Sequence, residues 1–322
     1  MVIDWIQRNT TSVRNGIQWT MFKQLEDLDF ADDLAEISTT QRQLQEKTNI
    51  LNSYAQKTGL NINIAKTKVM VVNQKITDPI TINNHPIVNV EDFTYLGSVI
   101  SNDNGAKKDI QSRISKARTA FHRLQPIWKS QNFSINTKLK LFNSNVKSVL
   151  LYGSECWRII QSDIQRIEAF HNSCLRKIHQ IYWPNKITNK NLFNLSKCSS
   201  ISTQIKQWRF RWLGHVLRMP SEKIPKTALH WTPPGKRKQG RPRTTWRRTI
   251  QAELQGEGYT WGQAQHLAKD RDKWRKLVGA LCPTGDEEDK FDEALRESKP
   301  ELSSCKASAL IARLLRLVSD IC

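Results

Sequence analysis

After residue 105 the spacing of apolar side chains changes, and that change limits the fold more than any other feature. Ile110, Ile114, Ala117, Phe121, Leu124 and Trp128 advance by three or four residues each time, the period of one helix face. Leu139, Phe142, Val146 and Val149 repeat the pattern. So do Ile164, Ile167, Phe170, Cys174 and Ile178, then Ile205, Trp208, Trp212 and Val216. Trp261, Ala264, Leu267, Trp274 and Leu281 extend it as a fifth helix. Residues 106–282 therefore predict a helical region packed through these stripes.

Residues 1–105 follow a different rule. Ile17, Trp19 and Met21, then Leu28, Phe30, Leu34 and Ile37, alternate about Ala31-Asp32-Asp33, which predicts two short strands joined there. A helix should follow. Thr40 and Gln43 have capping-box spacing, and Gly59 suits the left-handed stop. Short β-like runs come next at 60–64, 68–72 and 79–82, with a turn at Asn83-Asn84-His85. The fold class is α+β: an antiparallel sheet with a helix, followed by an all-α region.

Charge restricts the partner. The 322 residues hold 50 Lys and Arg against 30 Asp and Glu, a formal net charge of +20. Nucleic acid is the commonest polyanion that such a surface meets. The loop 233–248 concentrates the excess in Lys236, Arg237, Lys238, Arg241, Arg243, Arg247 and Arg248, between helix breakers. About seven phosphate contacts would give a log–log salt slope near −6 on B-DNA. Gly240-Arg-Pro-Arg243 resembles an AT-hook core, with Gln239 where the leading Arg should stand. Trp246 suits either a stacked base or an anchor for the loop. Residues 286–322 form an acidic tail.

The six cysteines lack C-x-x-C spacing and read as reduced thiols of an intracellular protein, in nucleus or cytoplasm. His171-x-x-Cys174 is half of a zinc pattern without a second half nearby. Met1 to Arg8 does not read as a signal peptide. Arg313 and Arg316 interrupt the last apolar run, so no membrane is expected.

Against this background, Leu25 to Asp33 carries five carboxylates in nine residues. Two charges about 4 Å apart repel by roughly 1 kcal/mol in water, and more when partly buried. A hard divalent cation offsets that repulsion, and Mg²⁺ takes one or two carboxylates plus substrate phosphates. A solvated acidic loop is the plainer alternative.

Phe30-Ala31-Asp32-Asp33 resembles the aromatic-Ala-Asp-Asp box of reverse transcriptases, in the form found in non-LTR retrotransposons. Further blocks follow in that family's order. Asp4-Trp5, Arg8 and Gly16 to Trp19 resemble the preceding segment. Gly59 to Asn63 with Lys66 to Met70 is similar to the next palm block, and Phe93 to Ser98 to the primer-grip block. Arg211 to Arg218, Gly240 to Arg243 with Trp246, and Asp270-Arg271 with Trp274 and Leu281-Cys282 look like the family's C-terminal regions.

The resemblance implies a partial palm over 1–105, a helical thumb over 106–200 and a basic helical C-terminal region over 201–285. It implies Mg²⁺ or Mn²⁺ held by Asp32 and Asp33, with RNA template, DNA primer and incoming dNTP as partners. Phe30 would lie near the primer terminus and nucleotide. Lys66 would be an ammonium near the leaving pyrophosphate, or else an ordinary surface lysine. Tyr95, Leu96 and Gly97 would position the primer end. Lys107, Lys108, Arg113, Lys116, Arg118 and Arg123 would face the duplex. The family's further palm Asp and its fingers lie upstream of the block at Asp4-Trp5.

Overall fold

The computed structural model describes residues 2–11, 15–21, 23–72, 78–102, 106–231 and 245–281. Most of the basic loop and the acidic tail lie outside the described residues. In chain order, helix α1 (Val2–Thr10) precedes strands β1 (Ile17–Gln18), β2 (Gln24–Leu25), β3 (Asp27–Phe30) and β4 (Asp33–Glu36). Helix α2 (Gln41–Lys57) follows. Then come β5 (Lys68–Val69), β6 (Thr81–Ile82), β7 (His85–Pro86), β8 (Val88–Asn89), β9 (Asp92–Tyr95) and β10 (Ser98–Ser101). The helices after them are α3 (Lys107–Arg123), α4 (Gln125–Lys129), α5 (Ile135–Phe142), α6 (Ser148–Leu150) and α7 (Gln161–Ile178). The last six are α8 (Asn189–Leu195), α9 (Ile201–Arg218), α10 (Ile224–His230), α11 (Trp246–Gly256), α12 (Trp261–Leu267) and α13 (Arg271–Leu281).

These elements form two compact units. The first contains the described residues up to 102 together with 221–231; the second contains 106–220 and 245–281. The sequence places a division at 200/201. Instead α9, capped by the Ser200 side chain, packs on α7 within the second unit.

In the first unit the described strands pair two by two. β3–β4, β6–β7 and β9–β10 are antiparallel hairpins, β1–β2 is an antiparallel pair, and β5–β8 is parallel. The expected single antiparallel sheet is thus met by five short ladders. Turn chemistry accounts for two of them. Asn83 and Asn84, and likewise Leu96 and Gly97, hold positive φ at both central positions, the requirement of a tight type I′ hairpin loop. Residues 60–64, expected as a strand, make no ladder. Leu60 N–H instead closes the end of α2 on the Ala55 carbonyl at 2.9 Å, and Gly59 N–H bonds Gln56. This is a Schellman stop with Gly59 at φ 77.

Two small cores support this unit. Ile17, Trp19, Leu25, Leu28, Ile37, Tyr95 and Ile100 form one, with Ala228 and Trp231 returning from α10 to join it. The Trp231 indole lies 5.0 Å from that of Trp19 and donates to the Gln18 carbonyl at 3.0 Å. Val69, Ile80, Ile82 and Ile87 form the other, against Leu44, Ile62 and Ile64.

The second unit follows the helical stripes. Ile110, Ala117, Phe121, Trp128, Phe142, Val146, Ile167, Cys174 and Ile178 join one core. The expected fifth helix is two. The Asp270 carboxylate accepts the N–H groups of Asp272 and Lys273 and so starts α13 afresh. Those same backbone hydrogen bonds, Lys273 foremost, lower the Asp270 pKa. The apolar period survives the break because α12 and α13 both supply buried residues: Ala264 from one, Trp274 and Val278 from the other.

Neither member of the His171-x-x-Cys174 pair is exposed. His171 lies 5.7 Å from the Phe142 ring and 6.5 Å from Phe193. Burial, helped by Lys147, pushes its pKa down to about 3. Burial pushes the Cys174 thiol up to about 12. The folded state therefore prefers neutral His171. Its contribution is full above the unfolded value near 6.5 and is lost as pH falls toward 3. The unfolding free energy of the second unit, from urea denaturation, should fall below pH 6.5 with a one-proton slope of about 1.4 kcal/mol per pH unit. His171→Phe should remove that slope between pH 6 and pH 5; a slope that persists would place the acid sensitivity elsewhere.

Candidate active-site hairpin

The acidic stretch folds as the β3–β4 hairpin, with Phe30 opposite Asp33 and a loop of two residues, Ala31 and Asp32. Asp33 is the first residue of the second strand and not part of the turn. Ala31 takes φ 57, in the left-handed region. Asp32 and Asp33 are exposed, and no hydrogen bond or ion pair engages either carboxylate among the described residues.

These five carboxylates, with Glu36 on β4, divide by task. Lys47, fully buried on α2, reaches the Glu26 carboxylate at 2.6 Å and Glu36 at 3.7 Å. Its ammonium also donates to the carbonyls of Glu26 at 2.7 Å and Ile37 at 2.9 Å. Gln7, from α1, donates to Glu36 at 2.8 Å. Burial holds the Glu36 carboxyl up at about 6 against the pull of Gln7 and Lys47. Burial first, then Asp29, also raises Asp27. Glu26 and Glu36 thus tie the root of the hairpin to α2, while Asp29, Asp32 and Asp33 face water.

The β9–β10 hairpin meets the acidic one through Tyr95. Its hydroxyl donates to main-chain oxygen at Leu28, 2.9 Å away, and also lies 3.0 Å from that of Asp33. Burial, then Asp33, Asp29 and Asp27, raise the phenol's pKa, so it stays protonated as a donor. Phe93 stacks on Tyr95 with ring centroids 6.2 Å apart, and Phe30 and Leu96 line the same core. The structure therefore brings Phe30, Asp32, Asp33, Tyr95, Leu96 and Gly97 onto two linked hairpins.

No hydrogen bond or ion pair among the described residues links Lys66 to them. It is exposed in a turn whose backbone N–H bonds Asn63, and its neighbours Ile62 and Ile64 pack into the other small core. Of the basic loop, Lys236, Arg237, Lys238, Arg241 and Arg243 lie outside the described residues. Arg247 and Arg248 prove to be in the first turn of α11, capped by Thr245. Arg247 stacks its guanidinium over Trp261 at 5.3 Å, and Arg248 is exposed. Trp246 is an anchor: its indole N–H donates to the Glu155 carbonyl at 2.9 Å. On α3, Lys107, Lys116, Arg118 and Arg123 are exposed, but Arg113 is buried against Asp109, with its guanidinium 4.2 Å from the Tyr152 ring.

Sequence reasoning passed over Lys47. The signal was there: it lies three residues after Leu44 and directly before Thr48, on the buried stripe of α2. A cation on such a stripe needs buried anions, and Glu26 and Glu36 supply them.

Asp32 and Asp33 are consecutive in sequence and exposed, and among the described residues no group of three or more His, Cys, Asp or Glu is placed to hold a metal ion. No helix of the described residues is long and apolar enough to cross a membrane.

Residues 120–152 match a family described as a domain of unknown function, DUF6451. The chain is similar to an uncharacterized transposon-derived protein of Caenorhabditis elegans. The two are 26% identical over 277 residues, which takes in 80% of this chain and 96% of the relative. No solved structure matches.

Proposed function

We propose that this chain derives from a mobile element and is the stretch of a non-LTR retrotransposon reverse transcriptase that runs from the palm's acidic hairpin through the thumb. The reaction is RNA-directed DNA synthesis. A primer 3′-hydroxyl attacks the α-phosphate of a dNTP, a new phosphodiester bond forms and pyrophosphate leaves. The observation that carries the reading is the Tyr95 hydroxyl on Leu28 and Asp33. It ties the β9–β10 hairpin to the main chain of the hairpin that carries the two carboxylates. The transposon-derived relative supports the mobile-element origin.

In this reading Asp32 and Asp33 hold Mg²⁺ or Mn²⁺, which would supply positive charge where oxyanions develop. The Leu96-Gly97 turn sets the primer end, and Phe30 packs beside it. A second reading, a binding remnant without catalysis, is favoured by two observations. Lys66 is exposed, between residues that pack on the second small core, and Glu26 and Glu36 are committed to Lys47.

Primer extension by the purified chain, given RNA template, DNA primer, dNTPs and Mg²⁺, separates the two readings. Asp32→Ala should lower extension by at least about a hundredfold, the scale of losing a transition-state electrostatic contact, while template binding holds. A folded wild type that binds template without extending it would select the binding-only reading.

A further inference from the structure

The segment 169–221 contains no Asp or Glu, yet nine Lys and Arg. Within it, the loop joining α7 to α8 has an unusual construction. Both ends are rooted: Ile181 and Ile187 pack on the main core of the second unit. The Ile181 N–H bonds the Arg176 carbonyl at 2.9 Å. The Arg176 guanidinium reaches across to the Ile187 carbonyl at 3.4 Å and to Asn189 Oδ1 at 2.7 Å. Between these roots the chain lifts two aromatic side chains into water: Tyr182 is 57% exposed and Trp183 84%. Lys186, on the same loop, and Lys190, at the start of α8, are also exposed.

An indole left in water on a braced loop presents a flat face with no ring or cation of the described residues stacked on it. Exposed cations without carboxylates nearby in sequence attract phosphates. A partner that satisfies both has accessible π-faces at intervals along a polyanion, and that describes single-stranded nucleic acid. A duplex hides its base faces within the stack. A lipid surface would ask for a broader aliphatic face, and the exposed aliphatic side chain nearby, Leu195 at 55%, is a single residue.

We infer that Tyr182 and Trp183 form a stacking platform for unpaired bases, with Lys186 and Lys190 contacting the adjoining phosphates. The platform belongs to the second unit and the acidic hairpin to the first, and the inference stands whether or not the chain polymerises.

Anisotropy of the full chain with labelled oligo(dT), single-stranded and annealed to its complement, tests this. Trp183→Ala should weaken single-strand binding by about 5- to 100-fold and leave duplex binding within about twofold. Trp183→Phe should restore most of the loss, since a phenyl ring also stacks. Lys186→Ala with Lys190→Ala should flatten the single-strand salt slope by about 0.7 for each lost contact. Trp183 is exposed, so an unchanged melting temperature is expected and confirms that the variant is folded. Unchanged single-strand affinity in folded Trp183→Ala would overturn the inference. So would an equal loss for duplex, or dependence on Trp183 only for binding to anionic vesicles.

Discussion

Lys47→Met is expected to destabilise the first unit by roughly 3–5 kcal/mol, the scale for removing one partner of a buried ion pair. The ammonium is fully buried and bonds two carbonyls as well as Glu26 and Glu36. Without it, buried anionic groups keep their desolvation cost and lose their compensation. The pH dependence gives this prediction a signature that a packing defect lacks. In the wild type the Glu36 carboxyl titrates at about 6, above its ordinary 4.5, because burial dominates. The folded state therefore holds that proton more tightly than the unfolded chain. The stability it contributes is full below 4.5 and is lost as pH rises through about 6. Removing Lys47 takes away the positive charge that lowers this pKa, so the loss in Lys47→Met should grow from pH 5 to pH 7. Adding Glu26→Gln and Glu36→Gln should recover part of the stability, because the anions go with their cation. Urea denaturation at the two pH values measures this. A loss that is equal at both, and not recovered by the glutamines, would show that Lys47 acts through packing alone.

What could be read in the sequence followed from which interactions are local. The Asn83-Asn84 turn and the α2 stop at Gly59 depend on residues a few positions apart, and each is where the spacing predicts it. Thr40 caps α2 by accepting the Gln43 N–H, although Gln43 does not return the bond as a full capping box would. The helical stripes were equally visible, since burial of one face needs only the period. The division of the hairpin's carboxylates was not visible, because Lys47 selects Glu26 and Glu36 through tertiary contacts. The same holds for α10. Its Ala228 and Trp231 complete the core around Trp19, some two hundred residues earlier, and no period announces such a return. Arg113 looked like a nucleic-acid contact because its position on α3 is polar in type; Asp109 and Tyr152 claim it instead.

Gly214 and Trp274 show how two distant motifs can share one physical cause, and they carry the other large prediction. A methyl group at Gly214, in the middle of α9, would collide with the Trp274 indole at Nε1 and Cδ1. That indole, almost wholly buried, donates to the Phe210 carbonyl at 3.0 Å. The missing side chain on α9 is the space that α13 fills. Trp274→Ala should cost roughly 3–5 kcal/mol through the cavity it leaves. Gly214→Ala should cost about 1–3 kcal/mol through overpacking, more than the small effect expected of Gly→Ala in a helix interior, where alanine is intrinsically favoured. The double variant decides between overpacking and a backbone effect. With the indole gone, the new methyl has room and alanine's helix propensity is recovered. The double variant should therefore be as stable as Trp274→Ala alone or slightly more so, a coupling of about 1–3 kcal/mol. Additive losses in urea denaturation would mean that Gly214 is needed for some reason other than Trp274. Near-complete coupling would mean that the two motifs, sixty residues apart, form one knob and one hole that set the spacing of α9 and α13.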